Sequence, residues 1–510
     1  MIKLISKLKP IHWLLVVILL IGAFLRLYNI PGSMMFLGDQ GRDAIIVKRI
    51  FTDLDPVFIG PVTSVGNMYL GPGYYYFMLP WLWLSYPSPV GPAYAVAVLG
   101  IITIFLMYYL GKEMVGKKAA IIGTAFFALS STVVNNTRFS WNPNPAPLVS
   151  LLMIFFTYKA WKKNPRYWIL VSLFFSILIQ LHYLTLLSAA GAGIFWLVSL
   201  FEKRKKIQKL KPFLISTLLA FILFVTSLTP ILLFDMKHDY LNARAFSEMI
   251  TGQDNFKQNT NVPFIEKATT IAKETHGRGM HILFEISIGK QRQLNTWLLV
   301  LTIVILVALA INHEKFKLKN DHFPGEIVII VYLLTGIIGT SFYGHTIFDH
   351  YIAYLFPVTF LTFGIVIAAI SNKSFVAKVI SMIFFFYFVI FNFNRYNLRT
   401  QHWSMFDVQR TTESILEKVQ TGEKYNIVLL SETGDIDGQS YRYFLETSDK
   451  PPVPTDKRGE VETLIIINED QKIEKVTDSP IYEIVVFPDK DIKEVYNVKD
   501  GPEITILRKN

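Results

Sequence analysis

The chain contains no cysteine. Disulfides, thiol nucleophiles, iron–sulfur clusters and Cys-ligated zinc are therefore excluded. Charge is also scarce: Asp, Glu, Lys and Arg make up only 17% of the 510 residues. A soluble chain of this length carries more. There is no HExxH, no repeat at solenoid period and no low-complexity segment. What remains is apolar, with 52% hydrophobic residues and a mean hydropathy of +0.38.

The apolar residues come in runs of about 17–22, long enough to cross roughly 30 Å of hydrocarbon as helix. They lie near 11–28, 69–86, 90–110, 118–134, 146–161, 166–182, 184–200, 213–233, 295–312, 325–342, 352–371 and 374–392. No small-residue cleavage site follows the first run, so it reads as an anchor rather than a signal peptide. The net charge of +11 raises nucleic acid as a partner, but its distribution argues against that. Lys and Arg gather in short connections: "MIKLISKLKP", "GKEMVGKK", "KKNPR", "FEKRKKIQKLKP", "NHEKFKLKNDH" and "SNKS". Basic short loops mark the cytoplasmic side.

Those connections share one side only if run 69–86 does not cross. Its glycines, prolines and Tyr/Trp belt suit an interfacial or re-entrant helix. About eleven transmembrane helices remain, plus interfacial helices, with the N-terminus inside. The expected architecture is a polytopic α-helical membrane protein with a small C-terminal α/β extracytoplasmic domain. Residues 1–395 form the membrane domain and 396–510 the outer domain. In the tail, 425–431, 461–468, 481–487 and 503–509 read as strands, and 407–420 and 438–446 as helices, plausibly in a βαβ arrangement. It has no Gly-rich phosphate loop.

This topology gathers the polar motifs outside, in loops 29–89, 135–146, 234–293 and 343–351 and the turn 180–184. "FLGDQGRDA" carries Asp39, Arg42 and Asp43, which share a face of a helix. Asp39 reads either as a helix N-cap or as a general base kept ionised by Arg42. "PGYYYFMLPWLW", with Tyr74, reads as interfacial packing, or as a wall for a lipid tail or sugar. In "RFSWNPNPAP", a plain loop competes with a site. There Arg138 would bind phosphate, Trp141 stack on sugar and Asn142 hold hydroxyls. His182 reads as a cap or as a site residue at a span end. Lys237 and Arg244 form either a solvated helix or a phosphate-binding cluster. "YGHTIFDHY" offers His345, Asp349 and His350, but HxxxD alone is a weak metal signal. No cofactor is expected, and a divalent metal is not favoured.

The order of these motifs resembles a GT-C glycosyltransferase of the protein O-mannosyltransferase and lipid A aminoarabinose transferase family, in a prokaryotic branch. "LGDQGRDA" resembles its D-E-x-R element and "GPGYYYFMLP" its H-P-P-L-x-Y-Y-L element. "GKEMVGKKAAIIGTAFFALS" resembles its cytoplasmic loop and third span. "RFSWNPN" and "DHYIAYLFP" resemble branch elements. The likeness covers roughly 1–400. It departs where the second acidic residue is Gln40, where H-P-P-L reads "LGPG", and where Asn142 replaces an acidic residue. The resemblance implies inverting transfer of a sugar from a polyprenyl-phosphate donor at the outer face of the plasma membrane. The acceptor would be a glycan, lipid or protein. Asp39 would be the base, with Asp43 as its substitute. Arg42, Arg138, Lys237, Arg244 and His350 would hold donor phosphate or sugar. Tyr74, Trp141, Asn142, His182 and His345 are further candidates. Membrane lipids are the other expected partners. The rival classes are an envelope polymerase or ligase using a pyrophosphate-linked donor, and a non-enzymatic transporter.

Overall fold

The computed structural model describes residues 9–63, 68–251, 264–285, 322–343, 346–399, 404–458, 460–469, 473, 475–488 and 492–509. Run 295–312, His345, and parts of loop 234–293 and of the basic stretch before residue 322 lie outside the described residues. Seven described helices are long and apolar enough to cross a membrane: Pro10–Leu27, Val90–Leu129, Tyr183–Lys203, Ile207–Ser227, Phe323–Ser341, Asp349–Ser371 and Phe375–Phe393. Ala146–Lys162 and Tyr167–Leu181 are shorter and pack with them.

The Val90–Leu129 stretch is a hairpin of two helices. Gly116 breaks it with φ +82° and ψ 162°, a backbone region that glycine enters without steric cost. A Cβ on Gly111 would lie 3.3 Å from that of Ala120, whereas straight helix would hold the two about 13 Å apart. Gly22 touches both arms, since a Cβ there would meet Ile104 at 2.5 Å and Ala128 at 3.7 Å. Runs 90–110 and 118–134 are therefore antiparallel neighbours.

Run 69–86 condenses to a helix over Gly73–Ser85 of 13 residues. That is about 20 Å of rise, short of the hydrocarbon thickness. Pro80 lies inside it. The length agrees with an interfacial placement.

The described parts of the basic connections after residue 110 collect at one end of the bundle. Lys159 pairs with Glu113 at 2.7 Å, and the His322 ring contacts the Glu113 carbonyl at 3.2 Å. Lys118 donates to Asn372, and Trp161 donates to Glu202. The polar motif loops meet at the opposite end. There Trp141 packs against the His350 ring, Gln180 accepts from the Gly73 N–H, and Asn242 accepts from the Tyr69 N–H.

The tail folds beside this second end. Strands β1 (Tyr425–Leu430) and β2 (Thr463–Asn468) pair in parallel, joined through the Gln439–Glu446 helix. Strands β3 (Ile492–Asn497) and β4 (Glu503–Arg508) complete an antiparallel edge, in order β1-β2-β4-β3. The apolar runs of β1 and β2 are buried throughout, as strands covered on both faces require.

One strand expectation is corrected. Segment 481–487 forms a helical turn over Tyr482–Val486. Its buried residues are Glu483, Ile484 and Phe487, a helical spacing rather than an alternating one. Prolines 480 and 488 bracket it. The third strand is instead the exposed edge Ile492–Asn497, whose charges weaken its strand signal.

Candidate active site

The Gly38–Thr52 helix starts at Leu37, whose N–H donates to Gln40 Oε1 at 2.9 Å. Asp39 therefore lies inside the first turn and is not the N-cap. The positive end of the helix dipole favours a carboxylate at this position. Arg42 bridges the two acids of the motif. Its Nη1 donates to Asp39 Oδ1 at 2.8 Å, and its Nε and Nη2 to Asp43 Oδ1 at 3.0 and 2.8 Å.

The two carboxylates differ in surroundings. The Asp39 side chain is 48% exposed and that of Asp43 only 2%. Tyr75 donates its hydroxyl to Asp43 Oδ1 at 3.2 Å, while Asp43 Oδ2 is buried with no hydrogen bond. Burial pushes the Asp43 carboxyl up to about 6, against the pull of the neighbouring Arg42 cation. Burial opposes the Arg42 charge too, but Asp43, Tyr75 and Asp39 together raise the guanidinium above its ordinary value. Arg42 remains a cation throughout.

Asp39 and Arg42 line a cavity of about 450 Å³, together with Met35, Leu37, Gly38, Gln40 and Trp141. The far wall is Thr433, Gly434 and Asp435, from the loop that leaves β1, and Gln439 at the start of the helix that follows. Close contacts fix that wall. A Cβ on Gly38 would lie 2.5 Å from Asp435 Oδ2. Phe36 packs edge-on against Tyr443 and Phe444, with ring centroids at 5.8 and 5.5 Å. Lys48 pairs with Glu446 at 2.7 Å, and Tyr443 donates to the Pro87 carbonyl at 2.9 Å. The sequence reading missed this wall. Its signal was "SETGDIDGQ", an acidic, Gly-containing turn directly after an apolar strand.

The other candidates distribute as follows. Trp141 lines the cavity and packs against the His350 ring in a tilted arrangement, with centroids 4.2 Å apart and planes at 43°. His182 is buried against Tyr183 and Tyr351, and its Nδ1 accepts from the Leu184 N–H. Asn142 is buried and donates to the Leu181 carbonyl at 2.5 Å. Tyr74 is fully buried with its hydroxyl 2.6 Å from Ser140 Oγ, so it presents no stacking face. Lys237 and Arg244 are exposed and do not line the cavity.

Arg138 has a different job from the one expected. Its Nε donates to the Asn397 carbonyl at 3.0 Å and its Nη1 to that of Leu25 at 2.6 Å. Its Nη2 donates to the Tyr28 carbonyl at 2.6 Å and to Ser33 Oγ at 2.5 Å. Buried and committed to these acceptors, Arg138 staples the root of the first loop to the strap that leads into the tail. Among the described residues, no group of His, Asp and Glu side chains is arranged to hold a metal ion.

Residues 88–229 match the family model described as dolichyl-phosphate-mannose-protein mannosyltransferase. In overall structure the chain is similar to ArnT from Cupriavidus metallidurans bound to undecaprenyl phosphate, with TM-score 0.59 and 10% identity over 98% of each chain. This is the GT-C fold. The apo state of the same ArnT aligns with TM-score 0.56 and 11% identity over 97% of each chain. An Archaeoglobus fulgidus oligosaccharyltransferase aligns with TM-score 0.49 and 11% identity, over 89% of this chain and 68% of its own. No curated protein sequence matches. The stretch matched by the family model contains the "RFSWNPN" loop. Asp39 and the tail fall outside that stretch.

Proposed function

We propose that this GT-C chain transfers a sugar from a polyprenyl-phosphate donor to an acceptor hydroxyl or related group, with Asp39 as the general base. One observation carries the reading. Asp39 reaches into the cavity with one oxygen on Arg42, and its other oxygen makes no hydrogen bond among the described residues. A base needs a free lone pair within reach of the acceptor proton. Asp43 is sealed away from the cavity, which favours Asp39 over its neighbour.

The step balances as a single displacement. The acceptor oxygen bonds to C1 of the sugar while its proton passes to Asp39. The bond from C1 to the phosphate oxygen breaks, and polyprenyl phosphate leaves with the electron pair. Attack opposite the leaving group inverts C1. Arg42 keeps Asp39 ionised and oriented. Lys237 and Arg244 sit on a segment tied to the same end by Asn242 and are the cations we propose for the donor phosphate. His350, packed against Trp141, would border the sugar. The basic loops at the opposite end support placing this site on the outer face of the plasma membrane.

The test is sugar transfer in proteoliposomes from a panel of polyprenyl-monophosphate sugars. Asp39→Asn is expected to lower turnover by roughly 10²–10⁴-fold with the protein still folded. Equal turnover by both proteins removes Asp39 from the mechanism. No transfer from any donor removes the reaction.

A further inference from the structure

The charge around the cavity bears on what enters it. Asp39 and Asp435 line it, and Arg42 is the only basic residue among its described lining residues. Arg42 is already shared between Asp39 and Asp43, and the second oxygen of Asp43 is buried without a hydrogen bond. Three carboxylates thus face one guanidinium. A phosphate placed here would meet excess negative charge at short range and find no uncommitted cation in the lining.

Asp435 is well placed to act on a ligand. Its Oδ2 accepts from the Gln439 N–H at 2.8 Å, which fixes the carboxylate against Gly38. Trp141 lines the same cavity, offering an indole to the apolar face of a sugar ring. Burial, and then the charges of Asp437 and Asp39, hold the Asp435 carboxyl above its ordinary range. An arriving ammonium or hydroxyl donor relieves that condition, and an anion worsens it.

We infer that the cavity between Asp39 and Asp435 receives the glycosyl acceptor, and that Asp435 selects a neutral or cationic sugar-like acceptor group over an anionic one. This rests on the transferase reading, and it moves the donor phosphate outside the cavity. It also gives the tail a function as the acceptor-reading wall.

Binding can be measured without transfer, on the full chain in nanodiscs, by calorimetry. The probes are methyl β-D-glucoside, methyl 2-amino-2-deoxy-β-D-glucoside and methyl β-D-glucoside 6-phosphate. The expected order is amine tightest and phosphate weakest, with on the order of tenfold between them. Asp435→Asn keeps an oxygen for the Gln439 N–H and should remove most of that difference without moving the thermal midpoint. Asp435→Glu should retain part of it. Phosphate binding as tight as the amine, an unchanged ratio in Asp435→Asn, or no binding of any probe overturns the inference. If the ratio behaves as expected but no donor supports transfer, the cavity's selectivity stands and the transferase reading falls.

Discussion

Gly41 lies directly against the backbone of Gln439, so closely that a methyl group on Gly41 would overlap the Gln439 carbonyl. The helix that carries Asp39 and the helix that follows the Asp435 loop therefore touch backbone to backbone. Gly41→Ala must push them apart. We expect transfer to fall strongly and the tail to become cleavable by added protease. Limited proteolysis alongside the transfer assay checks this, and an unchanged cleavage pattern would show that the contact is not needed for docking.

The Lys48–Glu446 pair braces the same junction, with side chains only 11% and 23% exposed. Lys48→Met leaves Glu446 half-buried without its cation. A loss of roughly 1–3 kcal/mol is expected, read as a lower thermal midpoint. The double variant Lys48→Met/Glu446→Leu should recover part of it.

Asp43 makes stability depend on pH. Its folded carboxyl titrates at about 6 against an ordinary 3.8. The folded state thus holds the proton to higher pH than the unfolded chain. That contribution is fully present below the unfolded value and is lost as pH rises through about 6. Relative to Asp43→Asn, the wild type should lose on the order of 1–3 kcal/mol between those limits. Thermal midpoints of both proteins across that window test the sign. A difference that grows in the wild type's favour with rising pH would contradict it.

Arg42→Lys keeps the charge but not the fork. An ammonium cannot reproduce the three hydrogen bonds to Asp39 and Asp43. Turnover should fall by at least about tenfold, with donor KM little changed because Arg42 is committed to carboxylates. A selective rise in donor KM would instead assign Arg42 to the phosphate.

Arg138→Met should act on stability, not on donor binding. It leaves the buried Leu25 carbonyl without its donor, at about 1–3 kcal/mol, and removes the part-buried hydrogen bonds to the Tyr28 and Asn397 carbonyls. The expected result is a sharply lower thermal midpoint and unchanged affinity for polyprenyl monophosphate in the folded fraction. Arg138→Lys should rescue little, since one ammonium cannot reach all four acceptors.

Much of this protein was legible in the linear chain, for physical reasons that act locally. Apolar runs must be satisfied as helices in hydrocarbon, so run length and Lys/Arg placement sorted the connections into two ends. The Gly73–Ser85 helix, at 13 residues, is too short to span the hydrocarbon. Asp39, Arg42 and Asp43 sit three and four residues apart, so helical geometry alone brought them together. Spacing also identified β1, β2 and the helix between them. It failed at 481–487, where an apolar run without alternation supports either form and the flanking prolines favoured a turn.

Tertiary structure decided the rest, because hydrogen-bond partners and burial depend on chain far away in sequence. Nothing local distinguishes the Arg138 guanidinium, committed to Leu25, Tyr28, Ser33 and Asn397, from one free to bind phosphate. Nothing local separates half-exposed Asp39 from buried Asp43, since that depends on Tyr75 and on how the tail docks. The sequence by itself determined a membrane bundle with its polar motifs at one end and an α/β tail. Only folding placed Asp435 opposite Asp39, across a cavity whose two walls lie nearly four hundred residues apart in the chain.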